Sequence, residues 1–428
     1  MKEIRIFEDS SYRTLLPLVY TRPVSALRCG ILLLQEKVAR RYPKADVTLF
    51  CREYIAEVLK GRNSFGINRS TVGKEGALFL NGRLILQEII PLEGPEEIGV
   101  PWPAENSGQG RQDDRVVYAR LSQENAKKVT PEVLLEEKLL KTLKEVKTKK
   151  VKAALVSYPW DIVQNNGSEI VRDFELLVGK KGANHGKIYE GVHLLNPSQI
   201  YIGKGSKIKP CVVLDAESGP IYIGKDVTIF PNSVVEGPAY IGDETKLKIN
   251  AKIYENTSIG PVCKVGGEVE GCIIHAYSNK QHDGFLGHAY IGEWCNLGAG
   301  TSNSDLKNNY GNVKVYVDGK MIDSGSMFVG LTMGDHSKAG VNTMFNTGTV
   351  VGVSSNVFGA GFPPKFIPAF SWGGPAGMTT YKLEKGLEVA ERVMARRKIK
   401  LGPQEEKLFR KVFDLTREER KVTTAASD

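Results

Sequence analysis

From Ile200 onward an aliphatic side chain returns at every sixth position. The longest unbroken run is Ile223, Ile229, Val235, Ile241, Leu247, Ile253, Ile259 and Val265; Ile202, Ile208 and Leu214 precede it, and Met333, Ala339, Phe345, Val351 and Val357 resume it. A helix repeats near 3.6 residues and a flat strand every two, so neither produces this step. A chain that turns a corner every six residues does, with three hexads to a coil and one aliphatic side chain per face pointing inward. Glycine follows the aliphatic residue at Gly203, Gly224, Gly242, Gly260 and Gly292, where it is expected to permit the turn. The spacing therefore predicts a parallel β-helix of hexapeptide repeats; a glycine-rich sandwich would alternate with period two. Breaks at 266–287 and 303–326 are read as insertions that leave the column, where functional side chains can sit without disturbing the stack.

The preceding region mixes strand-like runs at 4–7, 47–50, 77–80 and 153–156 with helical patterns at 26–41 and 131–144, the pattern of an α/β domain. The segment 93–114, rich in Pro, Gly, Glu and Asn, reads as a loop or insertion. Two amphipathic helical stretches, 381–399 and 404–421, close the chain and are separated by Gly402-Pro403, which neither helix can cross. The domains expected are 1–184, 185–375 and a helical tail at 376–428.

The 428 residues, 41% hydrophobic and 25% charged, exclude a disordered chain and provide enough apolar mass for two cores. No apolar stretch approaches the ~18 residues of a spanning helix, and the first ten residues lack the form of a secretion signal, so no membrane association is expected. Six scattered cysteines without a short C-x-x-C spacing fit a reducing, cytoplasmic setting. The formal charge of +9 gathers in 141–152 and 392–400, read as solvated helix faces rather than a nucleic-acid surface.

Several longer motifs carry a family resemblance. They are Leu15-Leu16-Pro17-Leu18 with Thr21-Arg22-Pro23 and Leu27-Arg28; Pro159-Trp160-Asp161; Tyr277-Ser278-Asn279-Lys280 with His282-Asp283-Gly284-Phe285-Leu286-Gly287; Gly292-Glu293-Trp294-Cys295-Asn296-Leu297-Gly298; Gly334-Asp335-His336-Ser337-Lys338; and Phe370-Ser371-Trp372-Gly373-Gly374. With them the chain resembles variant bacterial sugar nucleotidyltransferases related to the bifunctional N-acetylglucosamine-1-phosphate uridylyltransferase/glucosamine-1-phosphate acetyltransferase. The resemblance implies an α/β nucleotidyltransferase-like domain, a left-handed parallel β-helix acyltransferase domain with C-terminal helices, and assembly as a homotrimer. It also implies that a sugar 1-phosphate, a nucleoside triphosphate such as UTP, and acetyl-CoA are substrates, with Mg²⁺ serving nucleotidyl transfer.

Acyl transfer to an amine needs a base, and histidine titrates near working pH. By the resemblance His282 is that base, with Asp283 to orient it; Asn296 contacts the substrate, and Gly298, Ala299, Gly300 and Leu331 accommodate coenzyme A. Lys280 and Lys307 are candidates for the sugar phosphate, as flexible point charges. Two positions depart from the acetyltransferase pattern: Phe285 stands where it has tyrosine, and Glu270 where it has lysine.

Nucleotidyl transfer needs phosphate charge neutralised, commonly by a glycine-rich loop and a carboxylate-held metal. That loop is absent after the first strand, and Glu8-Asp9-Ser10-Ser11-Tyr12-Arg13 stands in its place. Arg13, Arg22, Arg28 and Lys37 are the candidate phosphate cations, Asn81 a candidate nucleotide contact, and Asp9 and Asp161 the candidate Mg²⁺ ligands. Three alternatives stay open: one surviving activity, a sugar-nucleotide-binding regulatory subunit, or a zinc hydratase using His282, His288 and His336.

Overall fold

The computed structural model describes residues 2–60, 64–102 and 115–425. Contacts group the chain into two units. The first comprises Met1–Leu15, Arg22–Leu27 and Leu33–Ser157, and the second Leu16–Thr21, Arg28–Leu32 and Tyr158–Asp428.

In the first unit the apolar runs near residues 4, 47 and 77 become the strands Glu3–Phe7, Asp46–Phe50 and Ala77–Asn81, nearly buried throughout. Strands covered on both faces read as continuous apolar runs. Glu3–Phe7 is central and parallel to both neighbours. The sheet has seven strands, in the order Gly66–Ile67, Asp46–Phe50, Glu3–Phe7, Ala77–Asn81, Tyr118–Leu121, Glu97–Pro101 and Thr148–Val151. Two expectations change here. Glu97–Pro101 is a strand inside the segment expected to be a loop, while residues 103–114 lie outside the described residues. The basic stretch near residue 149 is an exposed edge strand, not a helix, and its lysines discourage pairing with another chain. The helical pattern at 26–41 resolves into a short 3-10 turn, Val24–Ala26, and the helix Leu34–Arg41, and that at 131–144 into Pro131–Leu135 and Leu139–Thr142.

The second unit contains the three-faced parallel β-helix. One face carries nine strands from Ile200–Ile202 to Phe366–Ile367, a second runs through ten parallel rungs from Lys187–Ile188 to Ser371–Gly374, and a third has six, from His193–Leu195 to Phe285–Gly287. Every residue of the predicted run Ile223–Val265 lies in the shared core. Each such aliphatic side chain contributes about 1.5–3 kcal/mol relative to leaving it exposed.

The glycines serve a different purpose from the one expected. The left-handed corner conformation falls at Asp226, Glu244, Val262 and Trp294, not at the glycines two residues earlier. A Cβ on Gly203 would lie 2.5 Å from the carbonyl oxygen of Gly224, and one on Gly242 would lie 2.5 Å from the carbonyl carbon of Gly260. Glycine is required because successive coils pass too close for a side chain.

The break at 266–287 is not an excursion: Glu268–Glu270, Ile273–Ala276, Asn279–Lys280 and Phe285–Gly287 are all rungs, pairing with the coils on either side. The period slips because the coil shortens. The second break is an excursion, built around the antiparallel hairpin of Lys314–Val317 and Lys320–Asp323. Its Val313, Val315 and Val317 bury against Trp160.

The expected boundary at 184 also moves. The helix Pro159–Val178 belongs to the second unit, as does Arg28–Leu32. Asp173 of that helix accepts the backbone N–H groups of Ile31 and Leu32 at 2.9 and 3.0 Å, and Asn166 accepts that of Gly30 at 2.7 Å. At the C-terminus the second helical stretch divides, giving helices Leu383–Ala395, Pro403–Leu415 and Arg417–Ala425. Among the described residues no helix is long and apolar enough to cross a membrane.

Candidate functional sites

In the first unit the carboxyl ends of the parallel strands are where an open α/β sheet takes its ligands. Glu8 and Asp9 follow the first strand, Arg52 the second, and Asn81 ends the third, two residues before Arg83. These side chains pair with one another. Glu8 takes the Arg52 guanidinium through both oxygens, at 3.0 Å each, and accepts the Val24 N–H at 2.9 Å. Asp9 accepts from Arg83 Nε at 3.0 Å and Nη2 at 2.6 Å, from Asn81 Nδ2 at 2.8 Å and from the Ser11 N–H at 3.1 Å. Both pairs are buried.

A Mg²⁺ site does not fit this arrangement. Both Asp9 oxygens already face N–H donors, and a metal there would meet a guanidinium. Asp161 belongs to the second unit and accepts the Tyr158 N–H at 2.9 Å, capping the helix Pro159–Val178. Asn81 also donates to the Val116 carbonyl at 2.8 Å and accepts the Arg83 N–H at 3.0 Å, so its amide is committed to the fold.

The predicted phosphate cations are not gathered. Arg13 is exposed on the turn Ser10–Leu15, whereas Arg22 and Lys37 are buried. Arg28 belongs to the second unit and lies over the Tyr240 ring, 5.2 Å from its centre, with Nη1 donating to the Ile31 carbonyl. A groove of about 590 Å³ in the first unit is lined by residues 84–91, Tyr118, Lys149 and Lys152, and touches none of the predicted residues.

In the second unit two stretches of the residues expected to serve acyl transfer lie on successive coils. The corner after the rung Asn279–Lys280 holds His282 and Asp283; the corner of the next coil, after Asn296–Leu297, holds Gly298, Ala299 and Gly300. The Asp283 carbonyl accepts the Gly300 N–H at 3.0 Å, so the two stretches are stacked. His282 and Asp283 are both exposed, and no hydrogen bond joins their side chains, which removes the expected orienting role of Asp283. Gly298 is required by the coil beyond, since a Cβ there would lie 2.6 Å from the Gly340 carbonyl. Leu331 is wholly inside the core, so its side chain is not a coenzyme contact.

Lys280 is the largest departure. It occupies an inward rung, level with Val265, where every other coil carries an apolar residue or glycine. Its ammonium donates to the Gly266 carbonyl at 3.1 Å and the His282 carbonyl at 2.9 Å, so it braces the corner from within. Burial pushes its pKa down to about 8. It cannot meet a phosphate. Lys307, in the excursion at 303–326, donates to the Asn312 carbonyl.

The three histidines of the zinc alternative do not converge. His288 is held by Asp305 (Nδ1 to Oδ2, 2.7 Å), His336 lies against Trp294 and Phe409, and His282 is on another corner. Among the described residues no group of three or more His, Cys, Asp or Glu could hold a metal.

Residues 4–181 match the family model described as sugar nucleotidyl transferase. A bifunctional protein GlmU of Clostridium beijerinckii is 25% identical over 232 residues, which are 46% of this chain and 43% of that protein. Over those residues this chain is similar to GlmU. A bifunctional sugar-1-phosphate nucleotidylyltransferase/acetyltransferase of Sulfurisphaera tokodaii is 33% identical over 97 residues, 22% of this chain and 24% of that one. The chain thus spans less than half the length of these two relatives. Among solved structures, a Francisella novicida UDP-N-acetylglucosamine acyltransferase covers 56% of this chain and 84% of its own at 17% identity, with a TM-score of 0.31. The β-helix assignment rests on the strand pairing and not on that score.

The ion-pair network is the part of the first unit that sequence reading missed. Its one available signal was an arginine two residues after each of the strand ends Phe50 and Asn81, at Arg52 and Arg83, to match the acidic pair Glu8-Asp9 after the first strand.

Proposed function

We propose that this chain is a sugar-phosphate transferase with two activities. The β-helix moves the acetyl group of acetyl-CoA to the amine of a hexosamine 1-phosphate, and the first unit joins a sugar 1-phosphate to UTP. The product is UDP-N-acetylglucosamine or a close analogue. The observation that carries the acyl-transfer reading is the corner where His282 and Asp283 stack on Gly298–Gly300 in successive coils. In the step proposed, the amine nitrogen attacks the thioester carbonyl carbon as His282 takes its proton. The C–S bond then breaks, and the departing thiolate recovers that proton as coenzyme A leaves.

For nucleotidyl transfer, Arg13 is the exposed member of the predicted cations in the first unit and is assigned to the triphosphate. The Glu8–Arg52 and Asp9–Arg83 pairs favour a second reading, in which acyl transfer alone survives. Mass spectrometry of products from hexosamine 1-phosphates with acetyl-CoA, UTP and dTTP separates the two. Acetylated and uridylylated products together support the first; acetylated sugar alone supports the second; neither product refutes both.

Exposed apolar side chains on the β-helix unit, including Val341, Phe358 and Phe362, favour burial against identical copies, and we assign a homotrimer.

A further inference from the structure

Lys280 and Lys307, the cations that the resemblance gave to a phosphate, are committed to backbone carbonyls. A different set is left for an anion. The last turn of the helix Leu383–Ala395 and the arginines beyond it lie over the outer side of the rungs Lys264–Val265, Asn279–Lys280 and Asn296–Leu297. Between them is a cavity of about 60 Å³. Three cations line it, Lys264, Arg396 and Arg397, together with three amides, Asn279, Gln281 and Asn296; no carboxylate does. Tyr277 and Trp294, stacked 4.3 Å apart, form its apolar wall. Arg397 makes one side-chain contact there, Nη2 to Asn279 Oδ1 at 3.3 Å.

Like charges gathered beside an apolar wall repel one another unless an anion joins them. The Lys264 ammonium registers this: burial lowers its pKa, and Arg397, Lys246, Arg396 and Lys248 lower it further. Guanidinium groups flanked by amide N–H donors match the several oxygens of a phosphate. Asn279 lies three residues before His282, so their Cα atoms are at most about 11 Å apart. That separation suits the phosphate of a small amino sugar whose amine faces the imidazole. It is short for coenzyme A, whose pantetheine arm sets its phosphates well away from the thioester.

We propose that this cavity binds a phosphate ester, and that it anchors the phosphorylated acceptor beside His282; the choice of ligand, though not the anion site, rests on the acyl-transfer reading. The test is calorimetry on the full chain at low salt with glucosamine 1-phosphate, glucosamine, coenzyme A and dephospho-coenzyme A. The Arg396→Gln/Arg397→Gln double variant is expected to bind glucosamine 1-phosphate roughly tenfold more weakly or worse, with the other three ligands unchanged. Lys264→Gln is expected to act in the same direction. Weakened coenzyme A with unchanged dephospho-coenzyme A and glucosamine 1-phosphate would keep the phosphate site and overturn its assignment to the acceptor. Wild-type affinities in the double variant, or no binding of any phosphorylated ligand to the wild type, would overturn the site itself. A chain that binds glucosamine 1-phosphate through these arginines but transfers no acetyl group would refute the acyl-transfer reading alone.

Discussion

Arg83 is wholly buried and gives two of its N–H groups to Asp9. Removing one partner of such a pair strands a charge in the interior, at a cost of about 3–5 kcal/mol, whereas replacing both by apolar groups is often neutral. Asp9→Ala should therefore lower the first unit's denaturation midpoint sharply, and Asp9→Leu with Arg83→Met should restore most of it. A metal role for Asp9 predicts something else: Mg²⁺ would stabilise the wild type and not the variant. Lys280 offers a second test at this scale. Its ammonium is depressed to about 8 by burial, against 10.5 for a free lysine, so the unfolded chain binds more protons between those values. Stability should rise with pH across that window, by up to about 3 kcal/mol. Melting curves at pH 7 and 10 should show this gain in the wild type and its absence in Lys280→Met; equal pH dependence in both would contradict the buried ammonium.

Hexad elements were legible because their physics is local. One inward aliphatic side chain per face is a periodic demand, and the run from Ile223 to Val265 meets it without exception. Ile241→Ala should cost about 2–5 kcal/mol, while Lys246→Ala, outward on the next rung, should stay within about 0.5 kcal/mol. Thermal unfolding of the two variants checks the difference. The rung at Lys280 was not legible, because a lysine between Asn279 and Gln281 interrupts the periodic signal and reads as a loop. The pairing of Lys280 with Val265 shows that the coil continues through it. The cationic cavity was hidden for another reason: Arg396 and Arg397 are far along the chain from Asn279 and Asn296, and sequence alone leaves a basic helix end as a solvated face. The expectation for His282 and Gly298–Gly300 came from the spacing that the resemblance supplied, and their two stretches lie on successive coils.

For the whole molecule, the two units differ in what their candidate sites leave open. The first has its strand ends filled by arginine–carboxylate pairs, and the second has an open corner beside a cavity lined by cations without a carboxylate. Self-association follows from the exposed apolar side chains of the second unit. Sedimentation should give a species of three chains, and Val341→Lys should weaken it; a stable monomer at micromolar concentration would remove the trimer. Acyl transfer at the corner of the β-helix is read by thiol release from acetyl-CoA in the presence of hexosamine 1-phosphates. The wild type should show acceptor-dependent release, and His282→Ala at least about a hundredfold loss, in line with removal of a general base, with pyrophosphate exchange unchanged. Release at the wild-type rate from His282→Ala would contradict that role.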